Sequence, residues 1–109
     1  MSKSLFLLIA LSGLAAVSIA GEAGEAIFEA QRCGACHKPD TGQMNPSLKE
    51  IAQAYQGKEE QLIKYLRGEA EPSIRPGKAA VMNRPLEKTK GLSDEDRKAL
   101  TDFMMRYGT

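Results

Sequence analysis

Five consecutive residues, Cys33-Gly34-Ala35-Cys36-His37, hold every cysteine and the one histidine of the 109-residue chain. Two thiols three positions apart at the end of a helix can each form a thioether to one edge of the same porphyrin. A histidine directly after the second cysteine is then carried beneath the ring, where its imidazole can bind iron from the proximal side. The spacing implies one haem c per chain, attached covalently through Cys33 and Cys36, with His37 as an axial ligand of its iron. Random placement of two Cys and one His gives this arrangement in about one case in 6,000, so chance is a poor account of it. Other chemistries fit less well. A thioredoxin-type dithiol wants a βαβ setting and usually lacks the following histidine. A zinc site needs a fourth ligand or an open catalytic position, and the chain has no further Cys or His. A disulfide over so short a loop would staple almost nothing.

Iron held by one histidine takes a second ligand from the opposite face, and no second histidine exists. Methionine thioether is the common partner in electron-transfer haem and raises the reduction potential. Five methionines are available. Met1 leaves with the leader, and Met104 and Met105 fall within a helix, where packing is the ordinary role. Met44 follows His37 by seven residues, about 23–25 Å at full extension. That distance rounds a porphyrin edge only with a taut chain, and Pro46 comes soon after. Met82 lies in a long loop free to cross the distal face, and is the expected distal ligand. Its plain alternative is gap-filling by a flexible apolar side chain.

The elements that must position these groups read as helices. The first spans about Glu22 to Arg32, with Ala23, Ala26, Ile27 and Ala30 as its apolar stripe. The second opens at Ser47, where Ser47 and Glu50 form a capping box, and buries Leu48, Ile51, Ala52 and Tyr55. The third covers Lys58 to Arg67, with Leu62, Ile63 and Leu66 inward and Gly68 at its C-cap. The fourth opens at Ser93-Asp94-Glu95-Asp96 and runs through Leu100, Phe103, Met104 and Tyr107. Between the last two lies Glu69 to Leu92, rich in Pro and Gly, expected to be irregular and functional. No strand is expected. The fold class is all-α: a small monohaem domain of about four helices wrapped around one covalent haem.

Residues 1–20 read as a secretory signal peptide, leaving 21–109 as one domain. Lys3 supplies the positive start, Leu5 to Ala20 the apolar run, and Ser18-Ile19-Ala20 the small residues before the cut. Cleavage is expected after Ala20, or alternatively after Ala23. An uncleaved anchor is the rival, but the run falls short of the ~20 residues of a spanning helix. Export suits the thiol chemistry, since haem is joined to such chains outside the cytoplasmic membrane, and the periplasm is the expected location. A domain this small buries a limited core, and a covalent haem is its staple. With the leader gone, basic and acidic residues balance. No basic block points to nucleic acid, and no stable membrane insertion is expected after cleavage.

The residues resemble the class I cytochromes c, and within them the short bacterial type called cytochrome c-551, c-552 or c8. The resemblance covers roughly Glu22 to Tyr107. Beyond the haem motif, Gly24 and Phe28 look like the family's small-and-aromatic pair, and Leu100 and Phe103 like their partners on the last helix. Pro46 resembles the family proline whose carbonyl accepts the proximal imidazole's hydrogen bond, an outer contact that orients the ring. Gly42 to Ala54 looks like the family's stretch leading into the second helix, and Ala80 to Pro85 resembles its ligand loop. Many members use a Trp to hold a haem propionate. This chain has none, and Tyr55, Tyr65, Arg67 or Arg75 could take its place.

The expected function is a diffusible one-electron carrier and not an enzyme: a monomer that meets redox partner proteins transiently through an exposed haem edge. Iron would cycle between Fe(III) and Fe(II) with His37 and Met82 both bound. Lys38, Lys49, Lys58, Lys64, Lys78, Lys88 and Lys90 could steer acidic partners, or form an ordinary solvated surface. Two rivals stand. One keeps the haem but opens the distal site, giving a gas sensor or peroxidase-like enzyme, with Arg75 and Arg84 in the loop. The other is a haem-free redox or metal module built on Cys33 and Cys36.

Overall fold

Two helices approach backbone to backbone only where one of them lacks a side chain, and Gly24 supplies that place. The structure, a computed structural model, describes residues 16–108. In it α1 (Ala16–Ala30) packs on α5 (Asp94–Met105). A Cβ on Gly24 would collide with the Ala99 carbonyl oxygen and stand 2.7 Å from Phe103 Cβ. One turn on, Phe28 meets Phe103 with ring centroids 5.2 Å apart and planes tilted by 52°. Such a pair adds about 0.5–1.5 kcal/mol beyond the area it buries.

The stripe expected on the first helix is rotated. Ala26 and Ala30 are exposed, while Gly24 and Phe28 are buried. Methyl groups offer little area, whereas a bare backbone and a phenyl ring gain most from close approach. Of residues 1–20, expected to be a signal peptide, 1–15 lie outside the described residues. α1 already begins at Ala16 and continues through Ala20 and Gly21. No helix among the described residues is long and apolar enough to cross a membrane.

α2 (Leu48–Ala54) and α3 (Glu59–Leu66) both pack on α5. Their inward residues Leu48, Ile51, Tyr55, Leu62, Tyr65 and Leu66 join Leu100, Phe103 and Met104 in one core. The capping box forms as its residues require: Glu50 N donates to Ser47 Oγ at 3.1 Å, and Ser47 N to Glu50 Oε1 at 3.0 Å. α3 ends in a Schellman motif, with Gly68 N donating to Tyr65 O and Glu69 N to Lys64 O.

The segment from Glu69 to Leu92 is more regular than its composition suggests. A 3-10 stretch, Pro76–Met82, kinks at Lys78 and leads into α4 (Asn83–Lys90). Pro76 opens the first and Pro85 sits in the first turn of the second, where a missing N–H forfeits no intrahelical bond. α4 carries few apolar residues: Thr89 is its buried residue, and Leu86 packs half-buried against the core. The class is all-α, with five α-helices among the described residues where about four were expected.

Polar groups fasten the C-terminal end of α4. Arg97, only 3% exposed, donates from Nε to Thr89 O (3.1 Å) and from Nη2 to Lys90 O (2.9 Å) and Leu92 O (2.6 Å). Its Nη1 pairs with Asp94 at 2.9 Å. Thr89 Oγ1 donates to Leu66 O at 2.7 Å, fastening the same helix end to α3.

Candidate functional site

The haem-motif turn begins where α1 is broken. Arg32 takes a left-handed conformation (φ 60°) and sends the chain into a 3-10 helix, Cys33–Ala35. That conformation costs a residue with a Cβ about 1–2 kcal/mol. Cys36 N and His37 N both donate to Cys33 O, at 3.2 and 3.0 Å, closing the pentapeptide on itself. The two thiols are not joined to each other; Cys33 is half-buried and Cys36 exposed. Burial pushes the Cys33 thiol above its ordinary range, outweighing a backbone hydrogen bond and the charge of Lys88.

His37 Nδ1 lies 2.8 Å from Pro46 O. A carbonyl can only accept, so Nδ1 carries a proton, and in the neutral ring Nε2 is the nitrogen with the lone pair. The chain beyond His37 is clamped to α2: Leu48 N donates to Lys38 O (2.8 Å) and Lys49 N to Pro39 O (3.0 Å). These bonds satisfy donors that the first turn of a helix otherwise leaves without partners.

Across from this turn runs the strap that carries Met82. Ser73 N donates to the Tyr55 hydroxyl oxygen at 2.9 Å. Arg75, itself left-handed (φ 47°), donates from Nη1 to Gln43 O at 2.7 Å and from Nη2 to Glu50 Oε2 at 2.8 Å. Met82 sits at the junction of the 3-10 stretch and α4, half-buried against the core.

Turn and strap enclose a cleft of about 900 Å³, counting its open mouth. Cys33, His37 and Pro46 border it, as does Met82, with Leu62, Leu66, Leu100 and Met104 among its apolar walls. Cys36 does not border it. Met44 does, but is 76% exposed, in contrast to Met82. Of the four residues considered for a propionate, Tyr55, Tyr65 and Arg75 line the cleft and Arg67 does not. Arg67 instead pairs with Glu69 at 3.0 Å. One thiol, an imidazole and a thioether bordering a single apolar cleft, with a second thiol three residues from the first, are a donor set that fits haem c.

The family model described as Cytochrome c matches residues 21–107. The chain belongs to the cytochrome c family. Among its relatives is a cytochrome c-551 of Stutzerimonas stutzeri, 43% identical over 53 residues. That stretch covers 48% of this chain and 51% of the relative, so the match spans about half of that protein's length. A cytochrome c-552 of Nitrosomonas europaea is 32% identical over 93 residues, 83% of this chain and 85% of its own. The cofactor of this family member is haem c with its iron, and Cys33 and Cys36 are the pair that fits its covalent attachment.

Sequence reasoning missed the supports of the site. Glu50 was legible as a cap, but nothing in the pattern pairs it with Arg75, 25 residues away. The Tyr55–Ser73 bond and the Arg97 knot are likewise long-range in space or hidden in a charged residue type.

Proposed function

We propose that this chain is an exported, diffusible one-electron carrier. Residues 1–20 serve as the signal peptide, cut near Ala20, and residues 21–109 work in the periplasm as a monomer. When bound, haem c would supply one-electron chemistry, Fe(III) to Fe(II) and back. Cys33 and Cys36 would tether the cofactor, and His37 Nε2 and Met82 Sδ would hold its iron. Pro46 fixes the imidazole ring and its tautomer. The apolar walls exclude water, and transient redox partners meet the protein at the mouth of the cleft.

One observation carries this reading: His37 and Met82 border the same apolar cleft, and the other ring nitrogen of His37 is committed to Pro46. A site filled from both faces leaves no open position for a substrate, which favours electron transfer over catalysis. The test is the visible spectrum of the exported protein, oxidised and then reduced, with carbon monoxide added to the reduced form. Sharp low-spin bands that carbon monoxide leaves unchanged support the carrier. Rapid carbon monoxide binding moves the assignment to a sensor or peroxidase-like protein, and a colourless product from cells competent in haem attachment sinks both.

A further inference from the structure

The peptide group between Pro46 and Ser47 is engaged from both ends. Its carbonyl accepts from His37 Nδ1 at 2.8 Å, and its N–H donates to Glu50 Oε1 at 3.0 Å. The second carboxylate oxygen of Glu50 accepts from Arg75 Nη2 at 2.8 Å. Hydrogen bonds therefore run in series from the imidazole, through one amide plane, to an ion pair anchored on the Met82 strap. Gly42 makes the room: a Cβ there would collide with Glu50 Oε1 and stand 2.6 Å from Ser47 N. A capping box needs neither that glycine nor an arginine reaching over from the strap.

We infer that Glu50 is a positioning residue for the iron's proximal ligand, acting on His37 through the Pro46–Ser47 amide. Hydrogen bonds in series polarise one another. A carboxylate drawing on the amide N–H makes the carbonyl at the other end a better acceptor, and a stronger bond at Nδ1 increases electron donation from Nε2. The Ser47 N–H and then Arg75 hold the Glu50 carboxyl below the usual range, so it is an anion at neutral pH. Arg75 draws on the same carboxylate and weakens its pull on the amide. Glu50 thus favours the ferric state and Arg75 the ferrous, and the position of the distal strap is reported to the proximal ligand. The inference rests on the reading of His37 as an iron ligand.

The experiment compares the holoprotein with Glu50→Gln and Arg75→Gln. Glutamine at this position keeps the capping box while removing the charge. Midpoint potentials are measured by redox titration, and the Ser47 amide proton is followed by NMR in the ferrous form. Glu50→Gln is expected to raise the potential by about threefold in the ferric-to-ferrous equilibrium, about 28 mV at 59 mV per decade. Arg75→Gln is expected to lower it. The Ser47 amide proton moves upfield in the first and downfield in the second. Both shifts persist in about 1 M salt, where exposed charges are screened within about 3 Å.

Shifts of the same sign in both variants mean that the pair is only a brace, and overturn the relay. So does an unmoved potential, or one whose shift vanishes in salt. Should Glu50→Gln not yield holoprotein, Arg75→Gln, which leaves the capping box whole, decides by its own sign. A wild-type spectrum without low-spin ligation fails the earlier assignment of His37. An intact spectrum with unmoved potentials fails this inference alone.

Discussion

The two walls of the cleft are built on different length scales. The wall bearing His37 is held by bonds between near neighbours: the turn closes on Cys33 O, and the imidazole reaches Pro46 nine residues on. The strap bearing Met82 is held by partners 18 residues away at Tyr55, 25 at Glu50 and 32 at Gln43. Local bonds form at little loop-closure entropy, whereas each distant one depends on the rest of the fold being in place. The proximal side is therefore built mainly from local bonds, and the distal side from long-range ones.

The sharpest way to break this contrast is to remove each proposed ligand in turn. His37→Ala is expected to abolish the low-spin spectrum altogether. Met82→Ala is expected to leave the haem attached and His37 bound, with a lower potential and rapid carbon monoxide binding in the reduced form. A carbon-monoxide-inert Met82→Ala protein would move the distal ligand elsewhere, Met44 being the residue to change next.

A smaller effect tests the strap's dependence on the fold. Arg97→Met strips partners from the carbonyls of Thr89, Lys90 and Leu92 and is expected to destabilise by about 2–4 kcal/mol. A thermal melt reads this as a drop of about 4–8 °C per kcal/mol. Carbon monoxide should gain access to the distal side with the proximal bond intact; a lowered melt without that access would uncouple α4 from the strap. Tyr55→Phe removes only the acceptor of Ser73 N and should cost about 1 kcal/mol, with a faint rise in the same access.

The smallest effect appears only in alkali. Burial, with the charges of Tyr55 and Glu71 behind it, pushes the Tyr65 phenol up to about 12. Its ordinary value is near 10. The folded state therefore holds that proton where the unfolded state has lost it. The contribution is whole below about pH 10 and is lost as pH rises through the folded value. Urea unfolding across that range should show stability falling in the wild type and a flatter profile in Tyr65→Phe. An equal slope in both would assign the loss to another group.

The same division decides what the sequence could tell. Cys33, Cys36 and His37 are legible because their chemistry is written in adjacent letters, and Ser47 with Glu50 because a cap is a local pattern. The all-α class follows from the periodicity of α2, α3 and α5. α4 escaped because it has few apolar residues, and its end is fastened by a buried threonine and by an arginine on the next helix, residue types that ordinarily signal solvent. Arg75 escaped because its role depends on where Gln43 and Glu50 lie in space. On α1 the apolar stripe of Ala23, Ala26, Ile27 and Ala30 pointed to a rotated face, whereas the family resemblance named the Gly24 and Phe28 that set its packing.

That crossing at Gly24 has a consequence in time. Gly24 meets Ala99, 75 positions later, so α1 and α5 cannot pack until nearly all of the chain has been delivered. The turn that takes the thioethers, and the proline carbonyl that orients its histidine, are complete by Ser47. Contacts of such different sequence separation form at different speeds, the distant one last. On the proposed export route, the chain would present its attachment turn well before it can close on itself.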